Sequence, residues 1–231
     1  MTKRQRPDES DLGAYYDARA DHFDETYQRD DPTEKAELAM ITAQLKEAFA
    51  GRRVLEVAAG TGWWTAVIAP VAKFVLATDV APRMLEFAHR RGLPPDRVEF
   101  RFVDAFALDT VEPGFDGGLA NFWLSHVHRR DIARFLRLLH APLQDGATVF
   151  LADNVYVEGK GGQLLAPPGA EDTYRLRALP DGKRYTVLKN YFRREELESI
   201  FTPCARRMTL HMGGAYWWLH YTLRKQAPVS A

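Results

Sequence analysis

Apolar and polar residues follow two rhythms along this chain. Over residues 12–27 (LGAYYDARADHFDETY), Tyr15, Tyr16, Ala20, Phe23 and Tyr27 recur at roughly helical spacing. Pro32 and Thr33 open a stronger helix through Phe49, with Leu38, Ile41, Leu45 and Ala48 in its apolar set and Gly51 as its stop. A regular alternation follows. Strands are predicted at 53–58 (RVLEVA), 74–78 (FVLAT), 98–103 (VEFRFV), 115–121 and 147–152 (ATVFLA), with helices at 64–72, 82–91 and 130–143 between them. Repeated strand–helix units require a parallel sheet with helices on both faces.

The rhythm breaks after Asn154. Residues 155–172 are rich in Gly and Pro and read as a loop. Residues 174–191 hold P-D-G between two half-polar runs, a hairpin signal. A helix at 194–201 and strands at 207–212 and 216–223 complete the chain, with Gly213 and Gly214 making the two strands antiparallel neighbours. The aromatic run Tyr216-Trp217-Trp218 is expected to fill the sheet. The fold class is therefore α/β, a Rossmann-like doubly wound sheet of about seven strands, mostly parallel, with an antiparallel C-terminal strand.

Composition narrows the partners. The chain has 231 residues, with 31 Lys plus Arg against 31 Asp plus Glu, so no net charge draws it to nucleic acid or an anionic membrane. One cysteine, Cys204, allows neither an internal disulfide nor a cysteine-rich zinc site, and no metal is expected. The basic, polar residues 1–11 lack an apolar core for a signal peptide, which suggests a cytoplasmic protein.

The informative stretch is EVAAGTGWWT, residues 56–65. Gly60 and Gly62 lie between a strand and a helix N-terminus, where free N–H groups and the helix dipole favour a ligand. Asp79 ends the next strand about twenty residues on and suits a ribose diol. A nicotinamide dinucleotide is disfavoured on two grounds. Thr65 stands where the third glycine of that fingerprint belongs, and Trp63 and Trp64 crowd the place a pyrophosphate needs. A phosphate-free adenosyl cofactor fits better, and an indole beside a sulfonium adds about 0.5–2 kcal/mol of cation–π attraction.

These motifs resemble those of class I S-adenosylmethionine-dependent methyltransferases. VLEVAAGTG is similar to their first motif, with Ala58 in place of its first glycine, and Asp79 in LATDVAPRML matches the acid on the ribose. Asp104 in FVDAFAL matches the acid near the adenine, with Ala105 supplying a backbone contact. FDGGLANFWLSHV resembles the fourth-strand motif beside the transferred methyl, and the N-terminal helix resembles the lid of small-molecule methyltransferases, including the menaquinone- and ubiquinone-methylating group. The resemblance spans about residues 12–153. It implies S-adenosyl-L-methionine as cofactor, with Tyr16, Glu56, Ala58, Gly60, Gly62, Trp64, Asp79, Asp104, Ala105 and Asn121 as binding residues.

In-line attack on a sulfonium methyl chiefly needs positioning, and a proton-bearing nucleophile needs a base. His126 and His128, in SHVHRRD just after the fourth strand, are the catalytic candidates. Tyr15, Arg19, Trp63, Trp123, Arg175 and Tyr191 are the substrate candidates, and Arg177, Lys183 and Lys189 are further cations able to meet an anionic group. One domain is expected over 1–231: a helical lid (1–50), a cofactor core (51–154), a substrate-specifying insertion (155–191) and a C-terminal helix and strands (192–231). The fourth strand reads A-N-F-W-L rather than the N/D-P-P-Y/F of exocyclic amine methylases, which points away from nucleic acid and leaves a small-molecule substrate. The balanced charge and the lack of a long apolar run give no reason to expect a membrane partner. Assembly stays open, a homodimer included. Two other readings remain: a catalytically silent S-adenosylmethionine-binding partner protein and, with less support, a nicotinamide-dependent oxidoreductase.

Overall fold

The computed structural model describes residues 12–28, 30–179 and 181–225. The polar stretch 1–11, with the expectations placed on it, and Pro180 of the P-D-G turn lie outside those residues. Helix α1 (Leu12–Arg19) runs into a 3-10 turn (Ala20–Tyr27), and α2 (Pro32–Phe49) follows. The Asp31 carboxylate caps α2 by accepting from the Thr33 and Glu34 amides, and Pro32 takes the first turn, where its missing N–H costs nothing. Ile41, Leu45 and Phe49 recur every four residues on one face of α2 and are fully buried, each removal from water stabilising the fold by about 2 kcal/mol.

The strand–helix alternation gives β1 (Arg53–Val57), α3 (Trp63–Ile68), β2 (Phe74–Asp79), α4 (Pro82–Arg90), β3 (Val98–Phe102), β4 (Phe115–Asn121), α5 (Ile132–His140) and β5 (Leu143–Asn154). Three further strands, β6 (Gln163–Leu165), β7 (Tyr174–Ala178) and β8 (Arg184–Leu188), precede α6 (Arg194–Phe201), β9 (Ala205–Met212) and β10 (Tyr216–Leu223). The main sheet has seven strands in the order β3-β2-β1-β4-β5-β10-β9, with β10 antiparallel to both neighbours. One apolar layer packs α2 and α3 on this sheet, and a second packs α5 and α6 on its other face.

Two departures from the sequence reading are structural. Helix α3 stops at Ile68 rather than residue 72, and the 155–172 loop contains β6, which joins the expected hairpin in a separate antiparallel sheet, β6-β7-β8. A polar anchor ties α2 to the last hairpin: the buried Glu37 carboxylate accepts the amides of Gly214, Ala215 and Tyr216. A Cβ at Gly213 would lie 2.5 Å from that carboxylate, so a larger residue there would have to push the Glu37 side chain off its three amides. The strand order reverses between β1 and β4, and open α/β sheets bind ligands at the carboxyl ends of strands at such a point.

Candidate active site

The crevice at that switch point is lined by Ala58, Gly60, Asp79, Asp104, Ala105 and Asn121 from the tips of β1, β2, β3 and β4, together with Trp64 and Trp123. Asp79 holds its shape. One carboxylate oxygen accepts the Gly60 amide and the other the Ala81 amide, each at 2.8 Å, and burial raises its pKa above the usual carboxylate range. Each oxygen keeps a lone pair for a ligand hydroxyl. The Asp104 carboxylate accepts the Phe106 amide at 2.7 Å at the exposed rim. Ala58 adopts φ +54°, a left-handed conformation rare for alanine, which turns the chain sharply out of β1.

Both polar atoms of the Asn121 side chain and the Trp123 indole nitrogen are buried in this crevice without partners. Buried polar groups are ordinarily hydrogen-bonded, so the crevice offers an amide donor, an amide acceptor and an indole donor to a polar ligand. With the Asp79 lone pairs, this donor set fits an adenosyl cofactor with an amino-acid tail.

Three expected cofactor or substrate contacts lie elsewhere. Glu56 points inward, accepting the Thr65 hydroxyl at 2.6 Å, and burial lifts its pKa to about 8. Gly62 (φ +75°) caps α3 outside the crevice lining; its left-handed backbone favours glycine, and a Cβ would meet Phe100 and Ala88 at 3.1–3.2 Å. Trp63 stacks on Tyr27 with ring centroids 4.8 Å apart and lies outside the crevice, whereas Trp64 lines it. The two indoles thus divide between lid and pocket.

The lid, α1 and its 3-10 turn, roofs the crevice with Tyr16, Phe23 and Tyr27. Asp24 pins it down by accepting the Thr61 hydroxyl at 2.5 Å and pairing with Arg91. A second cavity of about 330 Å³ opens on the far side of the same aromatic wall, lined in part by Tyr15, Arg19, Lys160, Arg177, Lys189 and Tyr191. Tyr16, Phe23, Tyr27, Phe122 and His126 line both cavities. Phe122 holds φ +57°, a strained conformation for a bulky residue, and strain of this kind clusters at functional sites.

His126 occupies the shared wall in one defined tautomer. Its Nδ1 lies 2.6 Å from the Leu188 carbonyl oxygen, which only accepts, so Nδ1 carries the proton. Nε2 therefore presents its lone pair, which accepts the Tyr16 hydroxyl at 2.8 Å. Burial, reinforced by the nearby Lys189 ammonium, lowers the imidazole pKa to about 3, so the ring is neutral. Burial also raises the Tyr16 pKa, so the phenol keeps its proton. Behind His126, Lys189 donates to Asp153 at 2.9 Å and to Ser125 at 2.7 Å. Burial alone would raise the Asp153 pKa, but the Lys189 ammonium holds it below the usual range.

Other expected residues separate. His128 Nδ1 bonds the Asp172 carboxylate at 2.7 Å, away from both cavities. Arg175 is buried between the Tyr156 and Tyr191 rings rather than lining the second cavity. Lys183 pairs with Asp181 at 3.2 Å on the exposed turn. Trp123, expected at the substrate, lines the crevice at the strand tips. Trp217 and Trp218 fill the sheet as expected, but Tyr216 also lines the second cavity. Sequence reasoning missed Phe122 and Asp153. Nothing in the sequence marks the first, but Asp153 is an acid one residue from the end of β5, close to the signal that had singled out Asp79 at the end of β2.

The sheet order and the crevice at the β1–β4 reversal match the Rossmann-like fold of solved methyltransferase structures. Residues 54–146 match the family model described as a methyltransferase domain. The chain is 36% identical over 102 residues to a demethylmenaquinone methyltransferase of Clavibacter sepedonicus, covering 43% of this chain and 42% of that protein. It is 30% identical over 152 residues to a ubiquinone biosynthesis O-methyltransferase of Xanthomonas campestris pv. campestris (strain B100), covering 65% of this chain and 60% of that protein. The chain thus matches about half the length of these curated relatives. Among solved structures, the DhpI–SAH complex aligns with TM-score 0.71 and 26% identity over 90% of this chain and 93% of that one.

Proposed function

We propose that this chain transfers a methyl group from S-adenosylmethionine to a nucleophile on a small molecule, with His126 as the proton acceptor. The observation that carries this reading is the neutral Nε2 of His126 on the wall common to both cavities. S-adenosylmethionine would supply a methyl group made electrophilic by its sulfonium. Ala58, Gly60, Asp79, Ala105 and Asn121 would hold it in the strand-tip crevice, with Asp104 at the rim. The second cavity would hold the acceptor. Its nucleophilic O–H or N–H would take the place of the Tyr16 hydroxyl at Nε2. His126 would receive the proton while the methyl carbon's bond to sulfur is exchanged for one to the acceptor, with S-adenosylhomocysteine as the leaving group. Tyr16, Phe23 and Tyr27 exclude water from the junction. The named relatives supply the reaction class, and the one-domain division into lid, core, insertion and C-terminal elements is part of the same reading.

Replacing His126 with Gln is expected to leave S-adenosylhomocysteine affinity, measured by calorimetry, within a few-fold. Its release of S-adenosylhomocysteine over a panel of small hydroxy and amino compounds should fall roughly 10²–10⁴-fold, the usual contribution of a positioned base. Undiminished turnover removes His126 from the reaction. No binding of S-adenosylhomocysteine by the unaltered protein removes the whole reading.

A further inference from the structure

The sheet that covers the second cavity is over-supplied with positive charge. β7 places Arg175 and Arg177 two residues apart and so on one face, opposite Val187 and Tyr185 of β8. That face is turned to the site, because Val187 lines the cavity and Tyr185 packs on Tyr15 with ring centroids 5.7 Å apart. Two nearby cations are answered: Lys189 by Asp153, and Lys160 by Asp31 and Glu34. Three are not.

Among the described residues, Arg19, Arg175 and Arg177 have no carboxylate partner. Arg19 donates only to neutral hydroxyls, those of Tyr15 at 2.9 Å and Thr26 at 2.7 Å. Arg175, 2% exposed, donates to the Tyr191 hydroxyl at 2.9 Å and to the Gly162 carbonyl, and its Nη2 is buried without a partner. Arg177 lines the cavity with no side-chain hydrogen bond to a described residue, its guanidinium lying over Gly161. Both arginines of β7 press on the buried Lys189 ammonium, so the repulsion reaches the centre of the site. Burying charge without a counter-ion is costly, and folds accept it where a ligand brings the opposite sign. Guanidinium groups also match the paired oxygens of carboxylate and phosphoryl groups in a way ammonium cannot.

We propose that the acceptor molecule carries an oxyanion, a carboxylate or phosphoryl group, which Arg177 and Arg19 grip in the second cavity with the Arg175 charge behind them. The grip leaves the acceptor's nucleophile to face His126. A negative group there would also offset the cationic pressure on the imidazole and make Nε2 a stronger base during turnover. At about 330 Å³ the cavity sits at the lower end of the roughly 300–1,000 Å³ typical of small-molecule sites, which suits a compact, polar metabolite. The acceptor role rests on the methyltransferase reading; the anion site itself does not.

Titration of the full chain with sodium phosphate and with sodium acetate, at ionic strength held constant with sodium chloride and with and without S-adenosylhomocysteine, tests this by calorimetry. At least one anion is expected to bind saturably. Arg177→Gln should weaken it at least 10-fold while S-adenosylhomocysteine affinity stays within a few-fold. Arg177→Lys, which keeps the charge but loses the fork, should fall between. Stronger phosphate binding assigns a phosphoryl acceptor, and stronger acetate binding a carboxylate. The proposal is overturned if neither anion binds above the chloride background, or if Arg177→Gln binds both as tightly as the unaltered protein. Failure of S-adenosylhomocysteine to bind would remove the methyltransferase reading alone, because the anion titration reads the cavity without it.

Discussion

Glu56 shows how a residue can occupy a motif position and act somewhere other than the ligand. Its side chain faces Thr65 inside the fold, and burial raises its pKa from 4.5 to about 8. Below about 4.5 both folded and unfolded chains hold this proton, so the contribution to stability is fully present. Between about 4.5 and 8 only the folded chain keeps it, and stability falls as pH rises. Glu56→Gln removes that titration. Its stability relative to the unaltered protein, followed as the difference in melting temperature, is expected to rise from pH 5 to pH 8 by at most about 4 kcal/mol. Parallel melting curves for the two proteins would show the carboxyl ionised within the fold. Asp79 was legible because chain direction and spacing place it at the crevice, and Asp104 because its segment resembles the family's third-strand motif. The inward turn of Glu56 and the left-handed backbone of Phe122 were not, since both depend on neighbours brought from distant segments.

Single elements read well when their pattern was strong and poorly when tertiary contacts decided their ends. The helical spacing over 12–27 was visible, but the change at Ala20 from α-helix to 3-10 turn was not. That tighter turn carries Asp24 to Thr61 and Arg91, joining the lid to the glycine loop and to the residue after α4. Asp24→Asn keeps the side-chain shape and removes the charge from this partly exposed pin. A loss of about 1 kcal/mol after solvent screening is expected. It should appear as faster amide exchange over residues 12–27 and roughly five-fold faster S-adenosylhomocysteine dissociation in stopped-flow. Unchanged exchange would mean that the aromatic contacts hold the lid without the pin. The β7–β8 hairpin was announced by P-D-G, whereas three-residue β6 is too short for its pattern to be read.

Across the whole molecule, one buried ion pair joins the two sheets. Asp153 lies in β5 of the main sheet, and Lys189 directly follows β8 of the smaller one. Removing one member of such a pair strands the other charge, at about 3–5 kcal/mol. Lys189→Met is therefore expected to lower the melting temperature by roughly 10 °C in a domain of this size. Adding Asp153→Asn should restore much of the loss, since the stranded charge goes with it. Equal effects of the single and double variants would show that the pair does not couple the sheets. No helix among the described residues is long and apolar enough to cross a membrane. A mostly parallel sheet of about seven strands was legible from the alternation, but neither its strand order nor the docking of the second sheet on the lid was, because both rest on contacts between distant segments such as Tyr15 with Tyr185.

Tyr16, Phe23 and Tyr27 form a ceiling common to two rooms. Raising it to let a spent cofactor out also uncovers whatever waits next door. On the proposed methyl-transfer reading, departure and arrival on the two sides would share one movement of this ceiling rather than two independent ones.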